Sequence, residues 1–152
     1  MSRVQLALNV SNVDEAVTFY SKLFGAEPAK RRPGYANFAI AEPPLKLVLL
    51  ENPGQGGSLN HLGVEVDGIS AVDAEQARLA AAGLDLADES HTTCCYAKQD
   101  KFWVKDAPDG QSWEFYTVLE DSATFYGQDD SQACCDGPAG SSAETAAGTT
   151  CC

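Results

Sequence analysis

The sequence predicts an α+β protein in which two tandem βαβββ modules form one curved mixed sheet around a shared cavity, followed by a disordered C-terminal tail. Three observations lead to this fold class. Several short segments alternate apolar and polar residues, as strands do, and two longer segments repeat apolar residues at helical spacing. The order of these segments recurs after 56 residues. From about residue 121 the composition changes to Ala, Gly, Ser and Thr with scattered acidic residues.

The first module covers about residues 3–51. Its opening segment, RVQLALNV, alternates and predicts a strand. The next segment carries apolar residues at helical spacing, with Ser11 or Asn12 as the N-cap and Gly25 at the end. YANFAIA and PPLKLVLLE then predict two strands joined by a turn.

The second module covers about residues 60–118, after the flexible connector NPGQGGS. Residues 60–66 predict a strand, and residues 70–82 predict a helix that Gly83 stops. Residues 85–99 are polar without an apolar period, which indicates a loop. KFWVKD and SWEFYTV then predict two strands with the turn APDG between them.

The repeat suggests how the modules pack. A shift of 56 residues places QLALNV over HLGVEV, and a capped helix and paired strands follow each segment. One module cannot easily bury its sheet alone, so two modules side by side around a shared cavity are the economical arrangement. We therefore assign residues 1–120 to one domain. Residues 121–152 have too little apolar content to repay the entropy of ordering, and predict a disordered tail that contains cysteines.

The charge of the chain excludes some classes of partner. The formal net charge of −12 argues against nucleic acid and against an anionic membrane surface, because both need a basic footprint. No apolar run reaches the roughly 18–20 residues that span a bilayer. The N-terminal segment begins as an alternating strand and has no apolar export signal. The sequence therefore predicts a cytoplasmic protein.

All six cysteines occur as adjacent pairs, at 94–95, 134–135 and 151–152. Adjacent cysteines are poor partners for a disulfide with each other, because disulfide geometry needs a wider separation of the Cα atoms. In a reducing compartment this pattern indicates thiol chemistry or soft-metal binding rather than structural disulfides.

Three polar residues in predicted strands form a candidate metal site. Gln5 and His61 occupy equivalent places in the two modules, and Glu114 lies between Trp113 and Phe115, where a carboxylate needs a cationic partner. An imidazole, a carboxylate and an amide oxygen suit divalent iron, manganese or cobalt. Each residue alone also fits an ordinary structural role, so the prediction depends on all three together.

The residues resemble a known family. MSRVQLALNV, FYSKLFG, RPGYANFAIAEPPLKLVL, NHLGVEV and TTCCYAKQDKFWVKDAPDGQSWEFY are similar to segments of the vicinal-oxygen-chelate superfamily, which includes glyoxalase I, bleomycin-resistance proteins and extradiol dioxygenases. Within it they resemble most closely the cadmium-induced proteins and the organoarsenical carbon–arsenic lyases. The resemblance spans about residues 1–118, and its adjacent cysteines are its most specific part.

The resemblance implies that Gln5, His61 and Glu114 are the metal ligands. Many relatives have His at the first position, and the neutral amide of Gln5 implies weaker metal binding. Glyoxalase-like relatives take a fourth ligand from the last strand of the first module, where this chain has Leu47, Val48 and Leu49. Three protein ligands leave about three open positions on an octahedral ion, which favours oxygen activation at iron(II) over isomerase chemistry.

The resemblance also implies that Cys94 and Cys95 are catalytic and bind trivalent arsenic through two thiolates. Lys98 and Lys101 are expected to lower the pKa of these thiols, and Tyr96 to line the substrate site with Lys98. The segment is expected to be a loop that closes over the metal as a lid. Without the resemblance, Cys94 and Cys95 could be small loop residues.

The resulting hypothesis is a cytoplasmic iron(II)-dependent lyase that uses dioxygen as co-substrate to release arsenite from methylarsenite or reduced aromatic arsenicals. The alternative is a thiol-based protein that binds cadmium or arsenic without turnover. A glyoxalase-like isomerase or drug-binding protein accounts for the fold but not for the cysteines. The resemblance also allows a homodimer.

Overall fold

The computed structural model describes residues 1–126. These residues form eight strands and two helices, in the α+β arrangement predicted from the sequence. In chain order the elements are β1 (Arg3–Val10), α1 (Val13–Phe24), β2 (Lys30–Arg32), β3 (Tyr35–Ile40), β4 (Leu45–Glu51), β5 (Leu59–Glu65), α2 (Ile69–Ala81), β6 (Leu86–Cys94), β7 (Ala97–Val104) and β8 (Trp113–Asp121).

All eight strands belong to one mixed sheet, in the order β2-β3-β4-β1-β5-β8-β7-β6. The order is symmetric about its centre, because β1 and β5 lead their modules and pair antiparallel with each other. Each of them pairs parallel with the last strand of its own module, β1 with β4 and β5 with β8. The predicted pair of βαβββ modules around a curved mixed sheet is therefore confirmed.

The two helices cover the outer face of the sheet. Asn12 caps α1 by accepting a hydrogen bond from the Glu15 N–H, and Gly25 ends it in the left-handed region at φ 62°. α1 buries Val13 and Val17 in a core with residues of β1, β3 and β4. α2 covers the second module in the same way. The opposite face of the sheet carries both polar side chains and a second apolar cluster.

Two strands were not predicted from the sequence. β2 has only three residues, too few to show an alternating pattern. The predicted loop at 85–99 is β6 together with the start of β7, so the expectation of a loop is wrong. β6 is an edge strand with a half-exposed, polar face, and a bulge between Glu89 and Thr92 interrupts its alternation. Both features remove the signal on which a strand prediction depends.

The folded part of the chain continues past residue 120. β8 runs to Asp121, the ring of Phe125 packs against Tyr96, and Tyr126 forms an isolated bridge with Cys94. The first residues of the predicted disordered tail therefore belong to the fold, because their aromatic rings find apolar partners. The rest of that prediction, with the cysteine pairs at 134–135 and 151–152, lies outside the described residues.

No helix between residues 1 and 126 has the length and apolar character needed to cross a membrane.

Candidate active site

The three predicted metal ligands meet on the inner face of the sheet. Gln5 lies on β1, His61 on β5 and Glu114 on β8, and these strands are neighbours. The strand register places Gly63 directly between Gln5 and Glu114. All three side chains are buried, with about 5% of each exposed. On the other face of β1, Leu6, Leu8 and Val10 pack into the core under α1.

The polar atoms of the three side chains converge on one point. Gln5 Nε2 lies 2.6 Å from Glu114 Oε1 and 3.0 Å from His61 Nε2, and His61 Nε2 lies 3.2 Å from Glu114 Oε1. Ligand atoms that bind one octahedral ion at about 2.1 Å and at right angles lie about 3 Å apart. The separations in this structure therefore fit a single divalent ion.

The Gln5 carboxamide is oriented with its nitrogen towards this point, and its oxygen accepts a hydrogen bond from the Tyr116 hydroxyl. A half-turn of the amide would direct the oxygen to the metal position and let the nitrogen donate to the Tyr116 oxygen. Between residues 1 and 126 no group of three His, Cys, Asp or Glu side chains is placed to hold a metal ion. The amide of Gln5 is therefore needed to complete a three-ligand set.

Gly63 leaves the space that this arrangement needs. A Cβ atom at residue 63 would lie 2.9 Å from Glu114 Cγ and 3.4 Å from Gln5 Cβ. The first distance is shorter than a normal contact between carbon atoms. Any side chain at this position would push the two ligands apart. The sequence gives no direct sign of this role, because a glycine in a strand also occurs at bulges and sharp bends.

Glu114 is held in its ionised form. Burial opposes ionisation, but the ammonium group of Lys101 and the hydrogen bond with His61 outweigh burial and hold the pKa of Glu114 at about 2. Lys101 Nζ lies 3.3 Å from Glu114 Oε2 and 3.5 Å from Glu89 Oε2, and it is almost completely buried. The site therefore keeps a carboxylate ready for a cation over the whole range in which the protein would work.

The adjacent cysteines lie at the tip of the hairpin formed by β6 and β7. Cys94 ends β6, Ala97 begins β7, and Cys95 and Tyr96 form a two-residue turn with φ values of 55° and 61°. Such a turn normally uses Asn and Gly, since other residues are strained in the left-handed region. The two sulfur atoms are 3.3 Å apart, so one atom bound to both could bridge them.

Cys94 is disulfide-bonded, which differs from the expectation of thiols without disulfides. The 3.3 Å distance to the Cys95 sulfur shows that Cys95 is not the partner, since an S–S bond is about 2 Å long. The close spacing of adjacent Cα atoms disfavours a bond between neighbours, but it does not exclude a bond to a distant cysteine. Binding of a ligand through both sulfurs requires the reduced form of this pair.

The hairpin tip reaches across the cavity to the first module. Lys30 on β2 donates a hydrogen bond to the Tyr96 carbonyl at 3.0 Å, and the Tyr96 ring lies 5.3 Å from the ring of Tyr35 on β3. The segment expected to act as a lid is thus the end of a hairpin, and it contacts the first module.

One cavity of about 250 Å³ contains both groups of predicted residues. Its walls include Gln5, His61 and Glu114 together with Cys94 and Cys95. A small molecule held by the cysteines would therefore share an enclosed space with a metal held by the strands.

The other residues singled out in the sequence have different places. Lys98 is exposed, forms an ion pair with Glu120 and does not line the cavity, so the structure does not bring it to the predicted substrate site. Its strand neighbour Gln99 takes the place on the inner face, because successive residues of a strand face opposite sides. Tyr96 is half-buried and packs on Tyr35. His91 lies outside the site, in the bulge of β6.

Several cavity residues were not predicted from the sequence. Lys46 lines the wall beside Gln5 and lies 5.0 Å from the centre of the Tyr116 ring, and burial lowers its pKa. Tyr35 and Asn37, on the neighbouring strand β3, also line the cavity. A polar residue between apolar residues of a predicted strand could have indicated such positions. Lys46 in PPLKLVLLE is an example.

Comparisons with known proteins show the family of the chain. The family model for the glyoxalase/bleomycin resistance protein/dioxygenase superfamily matches residues 3–115. The cadmium-induced protein CadI of Mycobacterium tuberculosis is 62% identical over 145 residues, which cover 90% of this chain and 95% of that protein. The trivalent organoarsenical cleaving enzyme of Thermomonospora curvata is 54% identical over 153 residues, which cover 100% of both chains.

A solved structure shows the same fold. Homoprotocatechuate 2,3-dioxygenase from Arthrobacter globiformis aligns with a TM-score of 0.54 and 18% identity, over 86% of this chain and 40% of that one. At this level of identity the likeness concerns the arrangement of helices and strands alone.

Proposed function

The chain belongs to the glyoxalase/bleomycin resistance protein/dioxygenase superfamily, and from this premise we propose that it cleaves the carbon–arsenic bond of trivalent organoarsenicals. The observation that supports the proposal is one cavity whose walls include both the adjacent cysteines and the three proposed metal ligands. A relative that matches the whole chain at 54% identity carries the name of this activity.

The cysteines are proposed to hold the substrate. Trivalent arsenic is soft and binds thiolates, and two sulfurs 3.3 Å apart can bind the same atom. The third bond of arsenic then carries the organic group. Because the hairpin tip lies against the first module, the bound arsenical is shielded from bulk water. We propose a reducing, cytoplasmic location, in which both thiols stay available.

Gln5, His61 and Glu114 are proposed to hold iron(II). When bound there, iron(II) supplies the means for dioxygen to oxidise the carbon attached to arsenic. Lys101 keeps Glu114 ionised, and the Trp103 ring lies 5.5 Å from the His61 ring and closes one side of the site. For methylarsenite the atoms balance without a further reductant, since one dioxygen converts it to arsenite and formaldehyde.

The position in the first module from which a fourth protein ligand could come holds an apolar residue. The strand register places Val48 on β4 where Glu114 lies on β8. Val48 cannot bind a metal, so three protein ligands leave positions for dioxygen and substrate. This supports an oxygen-using reaction rather than a glyoxalase-type isomerisation, for which the chain offers no fourth ligand at this position.

The test is turnover by reduced, iron-loaded protein with methylarsenite, in air and without oxygen. We expect arsenite to form only in air. Cys95→Ser should abolish capture of the arsenical and leave iron binding intact, whereas Glu114→Ala should lose iron and retain capture. Arsenite formed equally in both atmospheres would exclude the oxygen-using reaction.

The second candidate is a resistance protein that sequesters cadmium or arsenic through its thiols. The 62% identity to a cadmium-induced protein favours it. The two candidate functions predict different effects of replacing Glu114, because sequestration needs only the cysteines. Resistance of cells that survives Glu114→Ala but not Cys95→Ser would favour sequestration over cleavage.

A further inference from the structure

Gln99 is a buried polar residue of the cavity with no role in the proposed reaction. It lies on β7, two residues after Ala97, and about 5% of it is exposed. Its side chain lines the same cavity as Cys94 and Cys95. The sequence pattern predicted a loop at this position and indicated no function for it.

The two ends of the Gln99 amide have different surroundings. The nitrogen donates a hydrogen bond to the backbone carbonyl of Cys94 at 3.2 Å. The oxygen, Oε1, has no hydrogen-bond partner among residues 1–126. Exchange of nitrogen and oxygen would bring two oxygens together at Cys94, so the orientation of the amide is determined. A buried acceptor without a donor costs free energy, which a ligand with a donor would recover.

The ligand atom that meets Gln99 has to belong to the organic group. Once two sulfurs bind trivalent arsenic, its third bond goes to carbon, and no hydroxyl group remains on arsenic to donate a hydrogen bond. The other cavity walls are also polar here, since the Tyr35 hydroxyl and the Lys46 ammonium line them. An organic group with polar substituents therefore fits this cavity better than a plain hydrocarbon.

We propose that Gln99 is a substrate-binding residue that accepts a hydrogen bond from an N–H or O–H group on the organic part of the arsenical. The substrate class this selects is aryl arsenicals that carry amino or hydroxyl substituents, in preference to unsubstituted phenyl. This inference rests on the proposed function, because it takes arsenic to be held by Cys94 and Cys95.

The experiment measures binding rather than turnover, and uses the full chain, reduced and without iron. Trp fluorescence follows competition between the protein and a soluble dithiol for 4-aminophenylarsine oxide or for phenylarsine oxide. We expect the wild type to bind the amino compound about tenfold more tightly, the value of one buried hydrogen bond. Gln99→Met should reduce this ratio to about one while it still binds the phenyl compound.

A further variant separates the acceptor from other effects. Gln76→Met makes the same replacement on α2, outside the cavity, and should behave as the wild type. A ratio near one in the wild type, or an unchanged ratio in Gln99→Met, overturns the inference. Loss of binding of both compounds in the wild type would instead refute thiol capture, and the inference with it.

Discussion

At the scale of single residues, the site depends on the side chain that holds Gln5. The Tyr116 hydroxyl donates to the Gln5 oxygen, and burial raises the pKa of Tyr116 well above its usual value, so this hydroxyl keeps its proton. A neutral amide is the weakest of the three proposed ligands. Its orientation therefore matters more than that of an imidazole or a carboxylate.

Tyr116→Phe should weaken metal binding without loss of the fold. The ring remains, but the Tyr116 oxygen that would accept a hydrogen bond from the Gln5 nitrogen, once the amide has turned its own oxygen to the metal, is removed. We therefore expect about tenfold lower affinity for iron(II) or cobalt(II). Competition with a chromogenic chelator measures this affinity. Tyr20→Phe on α1 removes a hydroxyl far from the cavity and is the control. Equal metal affinity in the two variants would show that Tyr116 does not orient the ligand.

At the scale of elements, the hairpin of β6 and β7 carries the proposed substrate-binding cysteines at a strained turn. Cys95 and Tyr96 both have positive φ, and neither is Gly, Asn or Asp. The rings of Tyr35, Tyr96 and Phe125 pack together at centroid distances of 5.3 to 6.3 Å. These contacts stabilise the position of the turn against the first module. Aromatic contacts with the first module thus offset the strain of the turn.

Phe125→Ala should loosen the hairpin tip. It removes a partly buried ring, and we expect this to destabilise the contact between the hairpin tip and the first module by about 1–2 kcal/mol. Hydrogen exchange followed by mass spectrometry should show faster deuterium uptake in residues 93–97. Phe19→Ala removes an exposed ring on α1 and should leave that uptake unchanged. If both variants exchange at the wild-type rate, Phe125 does not restrain the turn.

The same elements show what sequence reasoning could and could not predict. Gln5 and His61 could be paired from the repeat, because their 56-residue separation matches equivalent strands. β6 and the inward position of Gln99 could not be predicted, because the bulge at Glu89–Thr92 and a second register shift at Lys98–Gln99 break the alternation. Lys98 was placed at the substrate site on the expectation of a loop, and in the strand that forms instead it faces away from the cavity while Gln99 faces it.

At the scale of the whole molecule, the two modules are symmetric in structure and unlike in chemistry. Val48 and Glu114 occupy equivalent positions, and both line the cavity. Only the second module provides a carboxylate there. The asymmetry would leave the proposed metal site without a fourth protein ligand on the side of the first module, where Lys46 and Tyr35 also line the cavity.

Val48→Glu should restore a symmetric, four-ligand site. Without metal, the buried carboxylate should destabilise the fold by several kcal/mol, seen as a lower midpoint of thermal unfolding. Added divalent metal should recover more of that midpoint than it does in the wild type, and cleavage should fall because an open position is lost. Val48→Gln, which adds a neutral polar group, is the control. An equal effect of metal on the midpoints of wild type and Val48→Glu would contradict a ligand position at residue 48.

The hydrogen bond between Gln5 and Glu114 joins residues that are 109 positions apart in the chain. β1 forms early in synthesis but lies in the middle of the sheet, so its inner face stays incomplete until β5 and then β8 arrive. The ion would thus bind only a chain in which both modules have already docked. Neither half alone would bind it with three ligands, and the gain in free energy from metal would go entirely to the fully assembled molecule.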